Sequence, residues 1–306
     1  MITEMSVRLR RYIIYYKTLK HFFYNLIFQF IHRHWNLAIA GIDDELNPYN
    51  IKWMKHKYND RWFADPFIIS ETVDTFIILA EEYMRDDRKA RLAKLTVSKD
   101  DCKLLNNETV LNLDTHLSFP NFIDVEGKIY VYPENGRSGK TNYYEFGTPL
   151  KRVGELSPLP LADAVIQEID GNYYLFFTLG SECNGNRLLV HVANNPFGPY
   201  EPKQEIVFKD NTARRAGRMF KFENKLISPA QICNNSYGEG VCLQETILDN
   251  DEFLFREIKR LYPTSKDYPS GLHTFNVFGN HVVIDGYRFK HPLLSRIYFC
   301  LRGGGI

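Results

Sequence analysis

Five segments of this chain repeat one pattern: a turn built from Gly, Asn or Asp, then a run of aromatic and β-branched residues. They are DTFIILAE from Asp74, GKIYVYPE from Gly127, GNYYLFFT from Gly171, NKLISPAQ from Asn224 and GNHVVIDG from Gly279. Their first residues lie 53, 44, 53 and 55 apart, and a short apolar run precedes each. Two strand-forming runs around a tight turn make a β-hairpin. Hairpins returning at such a period read as propeller blades of four strands each. The expected fold is all-β: a five-bladed β-propeller over residues 60–302, with an amphipathic helix before it. Strand pairing is expected to continue in RLLVHVAN and RIYFCLR, while WNLAIAGI near residue 35 reads as a further strand that helps to close the ring. An aromatic content of 14%, with 22 Phe and 19 Tyr, suits pleated, half-buried surfaces.

Propeller geometry converts the repeat into a site. The first strand of each blade lines the central channel and the second returns beside it. The start of one and the end of the other therefore share a face. Strand starts supply Asp65, Pro120, Asp163, Gly217 with Arg218, and His273; seven residues beyond each turn lie Glu81, Glu134, Thr178, Gln231 and Gly286. The expectation is a polar funnel around the pseudo-symmetry axis. Carboxyl groups crowded there have raised pKa values unless cations or hydrogen bonds compensate.

Residues 1–34 read as a separate segment, with the propeller over 35–306. Ile13, Tyr16, Leu19, Phe23, Leu26, Ile27 and Phe30 recur at helical spacing among Arg8, Arg10, Arg11, Lys17, Lys20 and Arg33. Such a basic, aromatic helix suits an anionic membrane surface, or packing on the main domain or a partner. It is too short and interrupted to span a bilayer and lacks a secretory cleavage site. A net charge of +1 excludes a global polyelectrolyte partner, and no nucleic-acid role is expected. Five scattered cysteines, none spaced C-x-x-C, point to reduced thiols in a cytoplasmic protein rather than to a disulfide framework or a zinc site.

The motif FADPFI, followed by ADAVIQEIDGNYYLFF, resembles the five-bladed propellers of the arabinanase, levansucrase and invertase superfamily, especially glycoside hydrolase family 43. That resemblance implies a general base at Asp65 and an orienting, pKa-tuning aspartate at Asp163. The family's fourth-blade general acid has no counterpart, because TARRAGRMF places Arg215 or Ala216 there. Glu134 is the candidate for a relocated acid. A more extended resemblance, over roughly Trp35 to Arg288, is to the N-terminal domain of glucosamine inositolphosphorylceramide transferases and related bacterial proteins. It rests on WFADPF, LSFPNFIDVEGKIYVYPE, ADAVI, ARRAGRMF, SPAQICNNSYGEGV, GLHTFN and VIDGYR in that order. It implies a carbohydrate-active role in glycolipid or surface-polysaccharide assembly.

Arg214, Arg215 and Arg218 gather where the acid is missing, and guanidinium groups bind phosphate in bidentate fashion. They suit a nucleotide sugar or lipid phosphate, whose leaving group needs charge stabilisation rather than a proton, and they equally serve to neutralise ring carboxylates. The reading that follows is glycosyl transfer, with Asp65 as base, Asp163 and Glu134 positioning the acceptor, and the arginines holding phosphate. Glu81, Gln231, Tyr237 with the NNSYGEG loop, and His273 complete the expected binding set. The alternatives are a hydrolase using Glu134 and a non-catalytic glycan-binding or assembly module. No cofactor is required; by resemblance to the hydrolases, His273 could serve a Ca²⁺ or a water in the channel, or be a satisfied core histidine. Residues 7–35 would meet the inner membrane surface or a partner glycosyltransferase.

Overall fold

The computed structural model describes residues 32–301; the expected helix at 7–35 lies almost wholly outside them. Residues 35–287 form one compact unit. Five four-stranded antiparallel sheets make it up. Blade one is β3 (Arg61–Glu71), β4 (Thr75–Met84), β5 (Lys89–Ser98) and β6 (Leu104–Leu111). Blade two is β7 (Ser118–Val125), β8 (Lys128–Glu134), β9 (Thr141–Glu145) and β10 (Lys151–Ser157). Blade three is β11 (Leu161–Ile169), β12 (Asn172–Leu179), β13 (Arg187–Ala193) and β14 (Glu201–Val207). Blade four is β15 (Phe220–Phe222), β16 (Lys225–Ile232), β17 (Gly240–Asp249) and β18 (Glu252–Leu261). All five hairpins read from the repeat join the first two strands of a blade. Two of them turn on Glu126–Gly127 and Asp170–Gly171, where both residues have positive φ and so match the right-handed twist of the flanking strands.

Blade five is built from both ends of the unit, in the order β19 (Phe275–Phe278), β20 (His281–Phe289), β1 (Arg33–Ile42) and β2 (Pro48–Trp53). WNLAIAGI is therefore the closing strand. RIYFCLR is not a strand: a helix, α1 (Pro292–Leu301), covers most of it. Proline is well placed in a helix's first turn, and β1 and β2 already occupy the two places that further strands would fill. No helix of the described residues is long and apolar enough to cross a membrane.

Aromatic rings fill the seams between blades. Phe67 of blade one meets Phe119 of blade two edge to face at 5.0 Å, and Phe176 of blade three meets Phe253 of blade four at 5.0 Å. All four are essentially inaccessible to solvent. Such contacts add about 0.5–1.5 kcal/mol each beyond area burial.

Three channel-lining strands share an irregularity. Asp65, Phe119 and Asp163 each have positive φ, at 48°, 42° and 43°, and the strand pairing shifts register around each one. These bulges turn the backbone amide out of the ladder, and a carboxylate from the preceding blade takes it up. Asp285 Oδ2 accepts the Asp65 amide at 3.1 Å, Asp65 Oδ2 accepts that of Phe119 at 2.9 Å, and Glu134 Oε2 accepts that of Asp163 at 3.2 Å.

Leu37 in the closing strand is fully buried. Leu37→Ala is expected to cost about 2–5 kcal/mol in urea denaturation. Leu254→Ala on the exposed outer strand should change stability by less than about 0.5 kcal/mol.

Candidate functional site

The capping carboxylates converge at one end of the channel. Asp65, Glu81, Asp163 and Asp285 are buried, and Glu134 is the most open, with 19% of its side chain exposed. Glu81 lies opposite Ala64, and Glu134 opposite Ser118, so the count along the hairpins places both beside the bulges as expected. Glu82, one residue on, points to the other face of blade one. There it accepts hydrogen bonds from Arg61, Arg91 and Asn107 at 2.6–2.8 Å. Burial alone would raise its pKa, but these donors hold it below the usual value. Of the carboxylates around this hairpin, Glu82 is structural, whereas Asp65 and Glu81 face the funnel.

Two cations organise the cluster. Arg214 donates from Nε to Asp163 Oδ2 at 2.5 Å, from Nη2 to Glu134 Oε2 at 3.2 Å and from Nη1 to Asn184 Oδ1 at 3.1 Å. Its guanidinium lies 5.3 Å from the Tyr237 ring centre. Burial opposes its charge, and Asp163 with Tyr237 and Glu134 more than restores it. His273 is the second. Its Nδ1 meets Asp285 Oδ2 at 2.6 Å and its Nε2 lies 3.5 Å from Asp65 Oδ1, while its ring stacks on Trp35 at 4.1 Å. Burial works against the imidazolium, but Asp285 and then Asp65 carry its pKa up to about 9.

Asp65, His273 and Asp285 are close enough together to hold a metal ion. Both ring nitrogens of His273 face carboxylates, an arrangement that an imidazolium satisfies.

Five carboxyl groups thus surround two fixed cations. Burial, with the neighbouring acids Glu81, Asp163 and Asp285, pushes Asp65 up to about 8 against the pull of His273. Burial, with Asp163 and Asp65, does the same to Glu134 against the pull of Arg214. Asp65 Oδ1 also accepts the Thr274 hydroxyl at 2.9 Å. Glu81 is met by His116 Nε2 at 3.2 Å. The Ala90 amide donates to His116 Nδ1 at 3.2 Å, which fixes the Nε2–H tautomer.

Gln231 donates to Asp163 Oδ2 at 2.5 Å and to the Arg215 carbonyl at 3.1 Å. Its Oε1, like Thr178 Oγ1, is buried with no hydrogen-bond partner among the described residues. Such groups are costly unless something satisfies them. Two expected residues lie elsewhere. Arg215 is fully buried within blade four, where its guanidinium bonds to Ser228, Gln244 and the carbonyls of Thr212 and Ala213. Burial pushes its pKa down to about 9. Arg218 turns away from the cluster and stacks on Phe122 at 4.2 Å. Of the loop residues, Tyr237 reaches Arg214, but Asn234 and Asn235 spend their amides on Asp210, Asn211 and Glu239.

Asp285, Trp35, Thr274, Asn184 and His116 belong to the cluster without having been singled out. Asp285 precedes Gly286 by one residue, and the matching positions of the other blades are Ala80, Pro133, Phe177 and Ala230. A regular count along the hairpins passes over it.

The pH dependence follows from the signs. Asp65 and Glu134 keep protons in the native state that the unfolded chain releases in the ordinary carboxylate range. Their contribution is complete below that range and is lost progressively as pH rises toward about 8. His273 adds a loss between its ordinary 6.5 and about 9. Thermal unfolding is expected to show highest stability on the acid side of neutrality and a steady decline toward pH 9. Glu134→Gln should flatten that decline, and an unchanged slope would contradict the assignment.

A sequence profile of the family described as "Glucosamine inositolphosphorylceramide transferase 1, N-terminal" matches residues 51–282. Glucosamine inositolphosphorylceramide transferase 1 of Oryza sativa subsp. indica is 33% identical over 138 residues, 42% of this chain and 18% of the relative. The protein of that name from Arabidopsis thaliana is 28% identical over 156 residues, 47% and 20% of the two chains. The aligned part is thus about a fifth of either relative's length. Among solved structures, a thermostable family-43 glycoside hydrolase superposes with a TM-score of 0.55 at 13% identity, over 78% of this chain and 90% of its own. A family-117 glycoside hydrolase from Zobellia galactanivorans gives 0.51 at 13% identity, over 84% and 92%. At these identities the likeness is one of fold. The profile match spans more than two-thirds of the sequence, and the chain belongs to the glucosamine inositolphosphorylceramide transferase 1 N-terminal family.

Proposed function

We propose that the funnel binds a sugar and transfers a glycosyl group from a phosphate-activated donor. The observation that carries this reading is Arg214. Hydrolysis between two carboxyl groups needs an acid to protonate the leaving oxygen. Blade four instead sends Arg214, Gln231 and Tyr237 to the cluster. A guanidinium stabilises a departing phosphate directly, so no proton is required. In this scheme the acceptor hydroxyl oxygen bonds to the anomeric carbon as the bond from that carbon to the phosphate oxygen breaks. The hydroxyl proton passes to the Asp65 carboxylate, whose raised pKa suits a base working near neutrality, and the phosphate leaves paired with Arg214. Asp163 and Glu134 orient hydroxyl groups, and the buried Gln231 Oε1 and Thr178 Oγ1 accept or donate further hydrogen bonds at the funnel floor. The name of the plant relatives, glucosamine inositolphosphorylceramide transferase 1, favours the same class. The reading further places the chain on the cytoplasmic side, with residues 7–35 against the membrane surface or a partner glycosyltransferase.

A second reading has its own support. Glu134 is the most open carboxyl group and carries a raised pKa, as a relocated general acid would.

A thermal-shift screen of nucleotide sugars, free nucleotides and neutral oligosaccharides separates the two. A ligand at a hundredfold its Kd adds roughly 2.7 kcal/mol to native stability. The expected outcome is stabilisation by a nucleotide sugar that is lost in Arg214→Ala and kept in Arg218→Ala. Each variant is measured as the increment over its own unliganded Tm. Stabilisation by neutral glycans alone, with release of sugar from aryl glycosides that Glu134→Gln abolishes, would sink transfer in favour of hydrolysis.

A further inference from the structure

Helix α1 is turned against the usual pattern of a helix at a protein surface. It exposes Leu293, Leu294 and Ile297, which are 72%, 50% and 49% accessible, while Ser295 among them is fully buried. Successive residues advance by about 100° around an α-helix. The three aliphatic side chains therefore share one arc, and Ser295 lies opposite. A surface helix normally turns its apolar stripe inward and its polar face to water. An outward aliphatic stripe calls for a covering partner, as single exposed leucines do not. The charge around it is of one sign. Residues 286–306 carry Arg288, Lys290, Arg296 and Arg302 and no Asp or Glu, although the whole chain has a net charge of only +1. Lys290, on the approach to the helix, is exposed. The nearest acid before this run, Asp285, is engaged by His273 in the channel.

We propose that α1 is a contact for an anionic lipid surface. Leu293, Leu294 and Ile297 enter the boundary between head groups and acyl chains, and the positive charge of residues 286–306 is drawn to lipid phosphates. Such a boundary takes up a helix with an apolar face and a basic flank, and anionic lipid favours each Lys or Arg near it. A protein partner fits less well. The helix has ten residues and is about 15 Å long. Three aliphatic side chains fall far short of the about 800 Å² that each side of a stable protein interface buries. A bilayer sets no such minimum, because its surface is continuous and other parts of the chain can add to the contact. The helix is too short to cross a bilayer, so the contact is peripheral. It is independent of the chemistry proposed for the funnel, and it adds an element to the membrane contact expected of residues 7–35.

The test is co-sedimentation of the full chain with vesicles of phosphatidylcholine alone and of an equal mixture of phosphatidylcholine and phosphatidylglycerol. Binding to the mixture is expected to be roughly tenfold tighter or more, and to weaken as salt is raised. Leu293→Asp combined with Ile297→Asp should weaken binding to the mixture roughly tenfold or more. Both positions are exposed, so the double variant should keep the native Tm. Leu254→Asp, on the exposed outer strand β18, should leave vesicle binding unchanged. Leu293→Trp supplies a positive signal, because emission from an indole that enters the bilayer shifts to the blue when mixed vesicles are added. Binding by the double variant within about twofold of the unaltered chain, or no blue shift in Leu293→Trp, would overturn the contact at α1 alone. A dimer seen by light scattering without lipid, and dissociated in the double variant, would assign the face to a second copy and overturn the lipid surface. Failure of the unaltered chain to bind either vesicle would overturn this contact together with that expected of residues 7–35, and would leave the sugar screen to decide the funnel chemistry separately.

Discussion

The channel depends on buried carboxylates that cap the bulged amides of the next blade. Asp285 holds the amide of Asp65, Asp65 holds that of Phe119, and Glu134 holds that of Asp163. Each bulge breaks a strand ladder and would leave a buried N–H unpaired, at a cost of about 1–3 kcal/mol. A carboxyl oxygen is a strong acceptor, and seams five to one, one to two and two to three are each closed by a hydrogen bond to one from a bulged amide. The price is a concentration of acidic groups around one axis.

That concentration explains the rest of the site. Acids placed for structural reasons repel one another, and among the described residues Arg214 and the His273 imidazolium sit between them as fixed positive charge. Asp65 and Glu134 retain protons as a result. Groups that hold protons near neutrality can also exchange them with a substrate. Architecture and chemistry share atoms here, and neither Asp65 nor Glu134 can be altered for one purpose alone. Arg215 shows the contrasting case: a buried guanidinium that bonds to neutral oxygens and lies near the rings of Phe208 and Phe255, with no carboxylate partner among the described residues.

The sequence was most legible where backbone periodicity controls the outcome. Five turn signals located five inner hairpins, and the hairpin count found Glu81, Glu134 and Gln231. What escaped depends on contacts between distant segments. Asp285 sits at a position that is apolar in the other blades, and Trp35 reaches His273 from the opposite end of the chain. The adjacent residues Arg214 and Arg215 look alike in sequence, yet one joins the cluster and the other is sealed inside its blade. RIYFCLR carries strand-forming residues, but β1 and β2 had taken the partners that would have made it a strand. Local propensity gave way to competition for sheet edges.

The closing strand has a consequence for the order in which the protein can form. The segment that completes blade five is made first, but β19 and β20 emerge only after the other four blades. Until then β1 and β2 present apolar residues such as Leu37 and Ile39 with no inner hairpin to receive them. A ring joined by pairing between its two ends has high contact order, and such topologies mature slowly and expose sticky edges while incomplete. While the four intervening blades are being made, the nascent propeller must therefore carry an unsatisfied hydrophobic ribbon, a natural point for a chaperone to hold it.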